Sequence, residues 1–293
     1  MDVKQINLSK EYGLDGEATL KCILHQSYGE MEKYNQNLPA MIVVPGGGYS
    51  WCSEREGDPI AINFFQRHYN TFVLKYSCKP YVYPLSLTQL ACAIDYVKSN
   101  AKELCVDPER VFIVGFSAGG HLCANLSVMC DNLPVDTANG KKIDARPAGA
   151  ILSYPVIHPS SHAGSFQNLL GLSEEEIKVE PIDIAYENLL GKDEDFCEKA
   201  QALSLDKLVT PSTPPTFIWT TREDTTVNPT ATIRYTSALH DNGVIYESHI
   251  FPYGWHGAAT CDEWTNFDNG IAIFKKANIW IDLADEFCKS LKK

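Results

Sequence analysis

The amino-acid sequence predicts an α/β fold with a mostly parallel central sheet and helices on both of its faces. Short apolar segments rich in β-branched residues alternate along the chain with segments whose apolar residues recur at helical spacing. One of these segments, residues 111–114, is apolar throughout, as expected of a central parallel strand that is buried on both faces. With 293 residues, of which 44% are hydrophobic, the chain can form one large core. We therefore expect residues 1–293 to form a single domain.

The elements follow one another in a regular order. Segments with the composition of strands lie at 18–24, 40–44, 71–76, 111–114, 149–153, 216–220 and 246–251. Apolar residues at helical spacing predict a helix around residues 87–97, and a long amphipathic helix is expected from near Asn266 to Leu291. Between about 155 and 215 the pattern breaks down into acidic and proline-rich stretches. We interpret that segment as an inserted, partly helical cap over the strand ends.

Charge and cysteine content narrow the classes of partner. The formal net charge is −12 and no stretch concentrates Lys and Arg, so nucleic acid and anionic membranes are not expected to bind. The N-terminus has no apolar run behind a basic start, and no apolar run is long enough to span a bilayer. The ten cysteines form no C-x-x-C pair. We therefore expect reduced thiols in a cytoplasmic protein.

A candidate nucleophile lies directly after the strand at 111–114. Residues 115–119 read G-F-S-A-G, and a helical run follows. In this arrangement the serine occupies a sharp strand-to-helix turn, small neighbours let the backbone fold, and Oγ projects from the end of the sheet. The partial positive charge of the following helix N-terminus faces the reacting oxygen. Ser117 is therefore the predicted nucleophile.

A glycine run follows the strand at 40–44. Residues 45–49 read P-G-G-G-Y, and bare glycine N–H groups at this place can approach a tetrahedral oxyanion. Proline has no N–H, so we predict Gly46 and Gly47 as donors, together with Ala118. The run could instead be a loop that needs positive φ or one that cradles a phosphate, but no Gly-Lys-Ser/Thr follows it.

Eight histidines compete for the role of general base. His256 lies in the turn-rich loop 252–257, just past the last predicted strand, and is the predicted base. His249 lies within that strand and is expected to face core or solvent. His121, on the helix after Ser117, is expected to make a structural hydrogen bond. The two histidines of the predicted cap, His158 and His162, are candidates for substrate contact.

The predicted acid is Asp224, which follows the strand at 216–220. A buried carboxylate at this place would hold the tautomer of the imidazole and stabilise the imidazolium. Glu223 is the neighbouring alternative, and an exposed surface charge is the alternative for either residue. The chain order Ser117, Asp224, His256 is the order that strand-to-helix serine elbows of this kind use.

These motifs resemble the esterase/lipase branch of the α/β-hydrolases. More narrowly, G-F-S-A-G-G-H, G-W-H-G and the P-G-G-G-Y loop are similar to those of small bacterial acetyl xylan esterases and related carbohydrate esterases. The resemblance extends from about Met41 to the C-terminus, with Pro45 where the esterase motif H-G-G-G has histidine. It implies an α/β-hydrolase fold, hydrolysis of small acyl esters without metal or cofactor, and acetylated oligosaccharides as substrates. An arylformamidase-type amidase and a non-catalytic binding protein of the same fold are the alternatives.

Four aromatic residues flank the motifs and are candidates for substrate binding. They are Tyr49, Trp51, Tyr154 and Trp255. Such side chains can narrow an acyl pocket or stack on a sugar ring, and packing in the core is an equally good interpretation. Glu54 and Arg55, which follow the glycine run, are expected to form a structural ion pair.

Overall fold

An eight-stranded sheet lies at the centre of the computed structural model, which describes residues 1–133, 143–160, 184–266 and 276–291. The strands are β1 (Asp2–Asn7), β2 (Thr19–Leu24), β3 (Leu38–Val44), β4 (Asn70–Lys75), β5 (Val106–Phe116), β6 (Gly149–Ser153), β7 (Thr216–Thr221) and β8 (Tyr246–Phe251). Their order is β1-β2-β4-β3-β5-β6-β7-β8. Strands β3 to β8 pair in parallel, whereas β1 and β2 pair antiparallel at one edge. The predicted fold class is confirmed.

Helices cover both faces of the sheet. The described helices are α1 (Leu8–Tyr12), α2 (Asp58–Gln66), α3 (Leu85–Ser99), α4 (Ala118–Met129), α5 (Ile184–Leu190), α6 (Phe196–Ala202), α7 (Thr230–Asp241) and α8 (Trp280–Ser290). Apolar side chains of α1, α3, α4 and α7 form one buried core with one face of the sheet. Side chains of α2 and α8 form a second core with the other face. Strand β5 lies between the two cores, which explains why residues 111–114 are apolar throughout.

The sheet topology gathers the predicted site residues at one edge. Strands β3, β5, β7 and β8 all run in the same direction, so the loops that follow their carboxyl ends meet on the same side of the sheet. Those loops contain the glycine run, Ser117, Asp224 and His256 respectively. Residues more than a hundred positions apart in sequence thereby become neighbours.

The sequence does not predict the first two elements, β1 and α1. Strand β1 lies at the sheet edge, and every one of its residues is exposed or half-buried. An edge strand of this kind carries little of the hydrophobic alternation by which strands are recognised. Helix α1 has only five residues, too few for its period to be read.

The predicted C-terminal helix does not run continuously from near Asn266 to Leu291, and residues 267–275 of it lie outside the described residues. Helix α8 begins at Trp280, after a short 3₁₀ turn over Ala277–Ile279, whereas Asn266 is not helical. The side-chain amide of Asn266 instead donates to the carbonyls of Ala258 and Asp262 and so holds the loop beyond β8. Side-chain bonds of asparagine to nearby backbone compete with helix formation in this way.

The segment predicted as a cap contains α5 and α6 where it is described, and residues 161–183 of it lie outside the described residues. Helix α5 lies against the glycine loop, because Asn188 Nδ2 donates to the carbonyl of Gly48 at 2.8 Å and to Ser50 Oγ at 2.9 Å. The loop before α3 joins the same helix, since the N–H of Tyr83 donates to the carbonyl of Leu189. Among the helices of the described residues, none is long and apolar enough to cross a membrane.

Candidate active site

Ser117 lies in a strained turn between β5 and α4. Its backbone has φ 52° and ψ −117°, a conformation that residues with a side chain rarely adopt. The neighbouring glycines are required by close contacts. A Cβ on Gly115 would lie 2.3 Å from the carbonyl oxygen of Gly119, and a Cβ on Gly119 would lie 2.2 Å from the carbonyl oxygen of Val44. The G-x-S-x-G spacing is therefore what allows the serine to stand at the tip of the turn.

The structure brings Ser117, His256 and Asp224 into one hydrogen-bonded chain. His256 Nε2 lies 2.8 Å from Ser117 Oγ, and His256 Nδ1 lies 2.7 Å from Asp224 Oδ2. The side chain of His256 is 15% exposed and that of Asp224 is fully buried. These distances are the ones that a serine nucleophile, its base and a group that orients the base need in acyl transfer.

Asp224 is held by its own loop. Its other oxygen, Oδ1, accepts hydrogen bonds from the N–H groups of Thr226 and Val227, each at 2.9 Å. Glu223 points elsewhere, because its carboxylate pairs with Arg222 and its side chain is 43% exposed. Of the two neighbouring carboxylates, only Asp224 reaches the imidazole.

The loop that carries His256 is fixed from several sides. Thr221 Oγ1 donates to the carbonyl of Gly254 at 2.9 Å, and Gly254 has φ 137°. The ring of Tyr154 contacts the ring of His256 edge to face, with centroids 5.0 Å apart. These contacts hold the imidazole in place between Ser117 and Asp224.

Arg55 joins this loop to the segment that follows the glycine run. Its guanidinium donates to the carbonyls of Gly257 and Thr265, each at 3.1 Å. The expected ion pair between Arg55 and Glu54 is not formed, because the guanidinium donates its hydrogen bonds to backbone carbonyls instead. The sequence could not reveal these partners, which lie about 200 residues away along the chain.

The other histidines lie outside this hydrogen-bonded chain. His121 is buried, and its Nδ1 lies 2.7 Å from the hydroxyl of Tyr49. Burial lowers the pKa of His121 to about 3. His249 is bonded to Glu247 at 2.7 Å within β8. His158 is buried at the carboxyl end of the sheet, whereas His162 lies outside the described residues.

One of the predicted oxyanion donors, Gly46, is wrong, because its N–H group is already hydrogen-bonded. The N–H of Gly46 already donates to Glu56 Oε2 at 2.9 Å, so it is not available to an oxyanion. Gly46 instead serves as a close contact, since a Cβ there would lie 2.9 Å from Ser117 Cβ. The N–H groups of Gly47, Gly48 and Ala118 donate no hydrogen bond to any residue of the described ranges. Gly47 has φ 127° and Gly48 has φ 60°, which suits both positions to glycine.

Glu56 is a buried carboxylate that sequence reasoning missed. It is 3% exposed, and its two oxygens accept from different parts of the site. Oε2 accepts from the N–H of Gly46, and Oε1 accepts from the hydroxyl of Tyr154 at 2.8 Å. The same hydroxyl accepts from the N–H of Ala259 in the histidine loop at 3.0 Å. Burial, reinforced by the charge of Glu56, raises the pKa of Tyr154, so this phenol remains a donor.

Two of the four aromatic candidates are core residues. Tyr49 and Tyr154 are 2% and 1% exposed, and both hydroxyls are engaged, with His121 and Glu56. Both side chains are packed in the core next to the site, so neither offers an exposed surface to a ligand. Trp51 differs, because its side chain is 63% exposed directly after the glycine loop. Trp255, next to His256, is half-buried.

A metal centre is not visible in the part of the chain that the structure describes, where no group of three or more His, Cys, Asp or Glu side chains is placed to hold an ion. The described residues can instead supply a serine nucleophile, a histidine base and backbone N–H donors.

Sequence comparison shows the family of the chain. A family model described as BD-FAE matches residues 28–239, which is more than half of the chain, and the chain therefore belongs to this family. Endo-1,4-beta-xylanase B of Butyrivibrio fibrisolvens is 33% identical over 229 residues, covering 76% of this chain and 33% of that protein. An acetylxylan esterase of Xylanibacter ruminicola is 29% identical over 249 residues, covering 83% of this chain and 44% of that protein. The chain thus spans between a third and a half of these relatives.

Solved structures cover the chain more completely. The carboxylesterase Cest-2923 of Lactobacillus plantarum superimposes with a TM-score of 0.80 at 26% identity, covering 99% of this chain and 98% of that one. An acetyl ester-xyloside bifunctional hydrolase of Caldicellulosiruptor lactoaceticus gives a TM-score of 0.75 at 27% identity, covering 98% and 96%. Family and fold together place the chain in the BD-FAE family and in the α/β-hydrolase fold.

Proposed function

We propose that this protein is a serine esterase that removes short acyl groups, in particular O-acetyl groups from xylo-oligosaccharides or other sugars. The observation that carries the proposal is the hydrogen-bonded chain from Ser117 Oγ through His256 to Asp224, at 2.8 and 2.7 Å. Burial of the Asp224 side chain supports its role, because a carboxylate shielded from water holds and stabilises an imidazolium most effectively.

The reaction proceeds in two acyl transfers. His256 Nε2 takes the proton of Ser117 as Oγ attacks the ester carbonyl, and the same proton then goes to the departing alcohol. Water enters, gives a proton to His256 Nε2 and attacks the acyl-enzyme. His256 then returns this proton to Ser117 Oγ as the bond between Oγ and the acyl carbon breaks, which releases the carboxylic acid and restores both residues. Asp224 keeps the proton of His256 on Nδ1 throughout both steps.

The oxyanion of each tetrahedral intermediate is held by backbone donors. We assign this role to Gly47, Gly48 and Ala118, whose N–H groups have no partner within the described ranges. Two of them come from the glycine loop and one from the first residue of α4, where the helix dipole adds positive potential. Gly46 is excluded from this set because Glu56 already binds its N–H.

The choice of sugar acetates as substrates is supported by two relatives. The Xylanibacter ruminicola protein is named an acetylxylan esterase, and the Caldicellulosiruptor lactoaceticus structure is named an acetyl ester-xyloside hydrolase. Trp51 adds a structural argument, because an exposed indole directly after the glycine loop can stack on a sugar ring. The net charge of −12 favours an uncharged substrate over an anionic one.

Ser117→Ala tests the nucleophile. We expect the variant to fold and to lose almost all turnover of an aryl acetate, because loss of a triad member leaves only about 10³–10⁴-fold catalysis over water. A fluorophosphonate probe should label the unmodified protein and not the variant. Turnover close to that of the unmodified protein in Ser117→Ala would overturn the proposal.

A substrate panel tests the acyl and alcohol groups. Release of acid from acetylated xylo-oligosaccharides, aryl acetate, butyrate and octanoate esters, and N-formylkynurenine is compared at equal enzyme concentration. We expect acetate above butyrate and far above octanoate, with acetylated xylo-oligosaccharides among the best substrates. A preference for N-formylkynurenine would instead identify an arylformamidase, and absence of turnover and of probe labelling would indicate a binding protein.

A further inference from the structure

Two cysteines lie side by side next to the glycine loop. Cys52 follows this loop, and Cys78 lies in the loop that follows β4. Their sulfur atoms are 3.9 Å apart. Each thiol also approaches the carbonyl oxygen of Tyr76, at 3.6 Å from Cys52 and 3.7 Å from Cys78. Both residues are only partly buried, so a small reagent can reach them.

The backbone around this pair is already fixed. The N–H of Lys79 donates to the carbonyl of Tyr49 at 2.8 Å, which ties the two loops together beside the thiols. The N–H of Ser53 donates to the carbonyl of Gly46 at 2.9 Å and closes the glycine loop around Cys52. A disulfide has its sulfurs about 2.05 Å apart, so forming one requires the two sulfur atoms to approach each other by about 1.9 Å.

The pKa values of the two thiols are shifted in opposite directions. The hydrogen bond between the two thiols lowers the pKa of Cys52, against the effect of burial and with help from the charge of Lys75. The same hydrogen bond, together with burial, raises the pKa of Cys78. A thiolate is the nucleophile in thiol oxidation, so one thiol of the pair reacts first and its neighbour resolves it. The lowered pKa of Cys52 favours Cys52 as the first to react.

We propose that Cys52 and Cys78 are a redox site, which a peroxide converts into a reversible disulfide. The Cys52 thiolate attacks one oxygen of hydrogen peroxide, and the O–O bond breaks to give the sulfenic acid and hydroxide. The Cys78 sulfur then attacks the Cys52 sulfur, and the S–O bond breaks as water leaves. In sum, two thiols and one peroxide give one disulfide and two waters, and a dithiol reverses the change.

The disulfide would restrict the movement of the loop that carries Gly47 and Gly48. It would connect the segments that follow β3 and β4 by joining two residues that are 26 positions apart in the chain. Such a closure restricts the unfolded chain, so the oxidised protein should unfold at a temperature several degrees higher than the reduced protein.

The test is mild oxidation of the fully reduced, folded protein with hydrogen peroxide. Remaining thiols are alkylated, the protein is digested without reductant, and disulfide-linked peptides are identified by mass spectrometry. We expect a peptide pair linked through Cys52 and Cys78, the loss of two thiols per chain, a higher melting temperature, and reversal of all three by dithiothreitol. Cys78→Ser and Cys52→Ser are the matched variants, and neither should show the rise in melting temperature. The exposed Cys197 serves as an internal reference for nonspecific oxidation.

Two results would overturn the proposal. One is oxidation of Cys197 while Cys52 and Cys78 both remain free. The other is conversion of Cys52 to sulfinic or sulfonic acid in the unmodified protein as readily as in Cys78→Ser, since a neighbouring thiol that resolves the sulfenic acid prevents this further oxidation. Neither result depends on the identity of the ester substrate.

Discussion

Two buried carboxylates support the candidate active site in different ways. Asp224 touches the imidazole of His256 directly and is held by two backbone N–H groups of its own loop. Glu56 forms its two hydrogen bonds with other groups of the site. It binds the N–H of Gly46 on one side and the hydroxyl of Tyr154 on the other.

The difference separates a carboxylate that stabilises charge from one that positions other groups. In the proposed reaction, Asp224 faces the proton that stays on His256 when the imidazolium forms, so its charge would act on the transition state. Glu56 would act indirectly. It positions the backbone at Gly46, before Gly47, and the ring of Tyr154, which packs against His256. Removal of the first charge should therefore cost far more turnover than removal of the second.

The largest expected effect is that of Asp224→Asn. The amide can hold the wrong tautomer of His256 and brings no charge, so kcat should fall by about 10⁴-fold while the fold is kept. Steady-state kinetics with an aryl acetate measures the change. The control is Glu223→Gln, which alters the neighbouring, exposed carboxylate and should stay near the unmodified rate. If Glu223→Gln were the more damaged variant, the acid would have been wrongly assigned.

The same pair shows what the sequence can reveal. Asp224 is recognisable because it follows a buried strand and precedes His256 in the chain, and strand ends meet at one edge of a parallel sheet. Glu56 belongs to a 3₁₀ turn between β3 and α2, where no hydrophobic period marks its direction. Only the folded path of the loop turns its carboxylate back to Gly46, ten positions earlier.

The error at Gly46 has the same cause. The spacing of P-G-G-G-Y indicates that glycine N–H groups will approach the serine, and it carries no information about which of them is already bonded. The partner that removes Gly46 from the set is the unrecognised Glu56. The aromatic residues Tyr49 and Tyr154 are subject to a similar limit, since their position beside the motifs does not reveal that both are buried.

Substitution of Glu56 should have an intermediate effect. Glu56→Ala leaves two buried donors without their partner, which should lower the free energy of unfolding by about 1–3 kcal/mol for each. Glu56→Gln keeps an acceptor for Gly46 and should retain most of that stability. We expect kcat to fall by about 10- to 100-fold in the alanine variant and less in the glutamine variant, with little change in KM, because displaced groups cost turnover.

The matched control for this prediction is Glu54→Gln, on the same turn but exposed to solvent. It should leave both kcat and the unfolding free energy nearly unchanged. A purely structural role for Glu56 would show itself as lost stability with kcat unaltered in the protein that remains folded.

Tyr154→Phe should have a smaller effect. The ring that packs against His256 remains, and only the hydroxyl between Glu56 and the N–H of Ala259 is lost. We expect a loss of stability of about 1–3 kcal/mol and a fall in kcat below that of Glu56→Ala. Chemical denaturation and aryl acetate kinetics measure the two quantities. A fall in kcat as large as that of Asp224→Asn would mean that the hydroxyl itself takes part in the reaction.

The smallest effect on activity is expected at His121, where the change appears in stability instead. Burial lowers its pKa to about 3, whereas an unfolded histidine titrates at about 6.5. Between these values the unfolded chain binds a proton that the folded chain does not. The free energy of unfolding therefore falls as pH decreases below about 6.5, by up to about 1.4 kcal/mol per pH unit for this one group.

His121→Gln removes this dependence. The stability difference between the unmodified protein and the variant should shrink as pH is lowered from 7 to 5, as measured by urea unfolding at each pH. His249→Gln, which leaves His121 in place, should retain the steeper fall. The pH midpoint of kcat/KM should be the same in all three proteins, because the proposed base is His256 and His121 contacts Tyr49 instead. A shifted midpoint in His121→Gln alone would connect this buried histidine to the catalytic proton transfer.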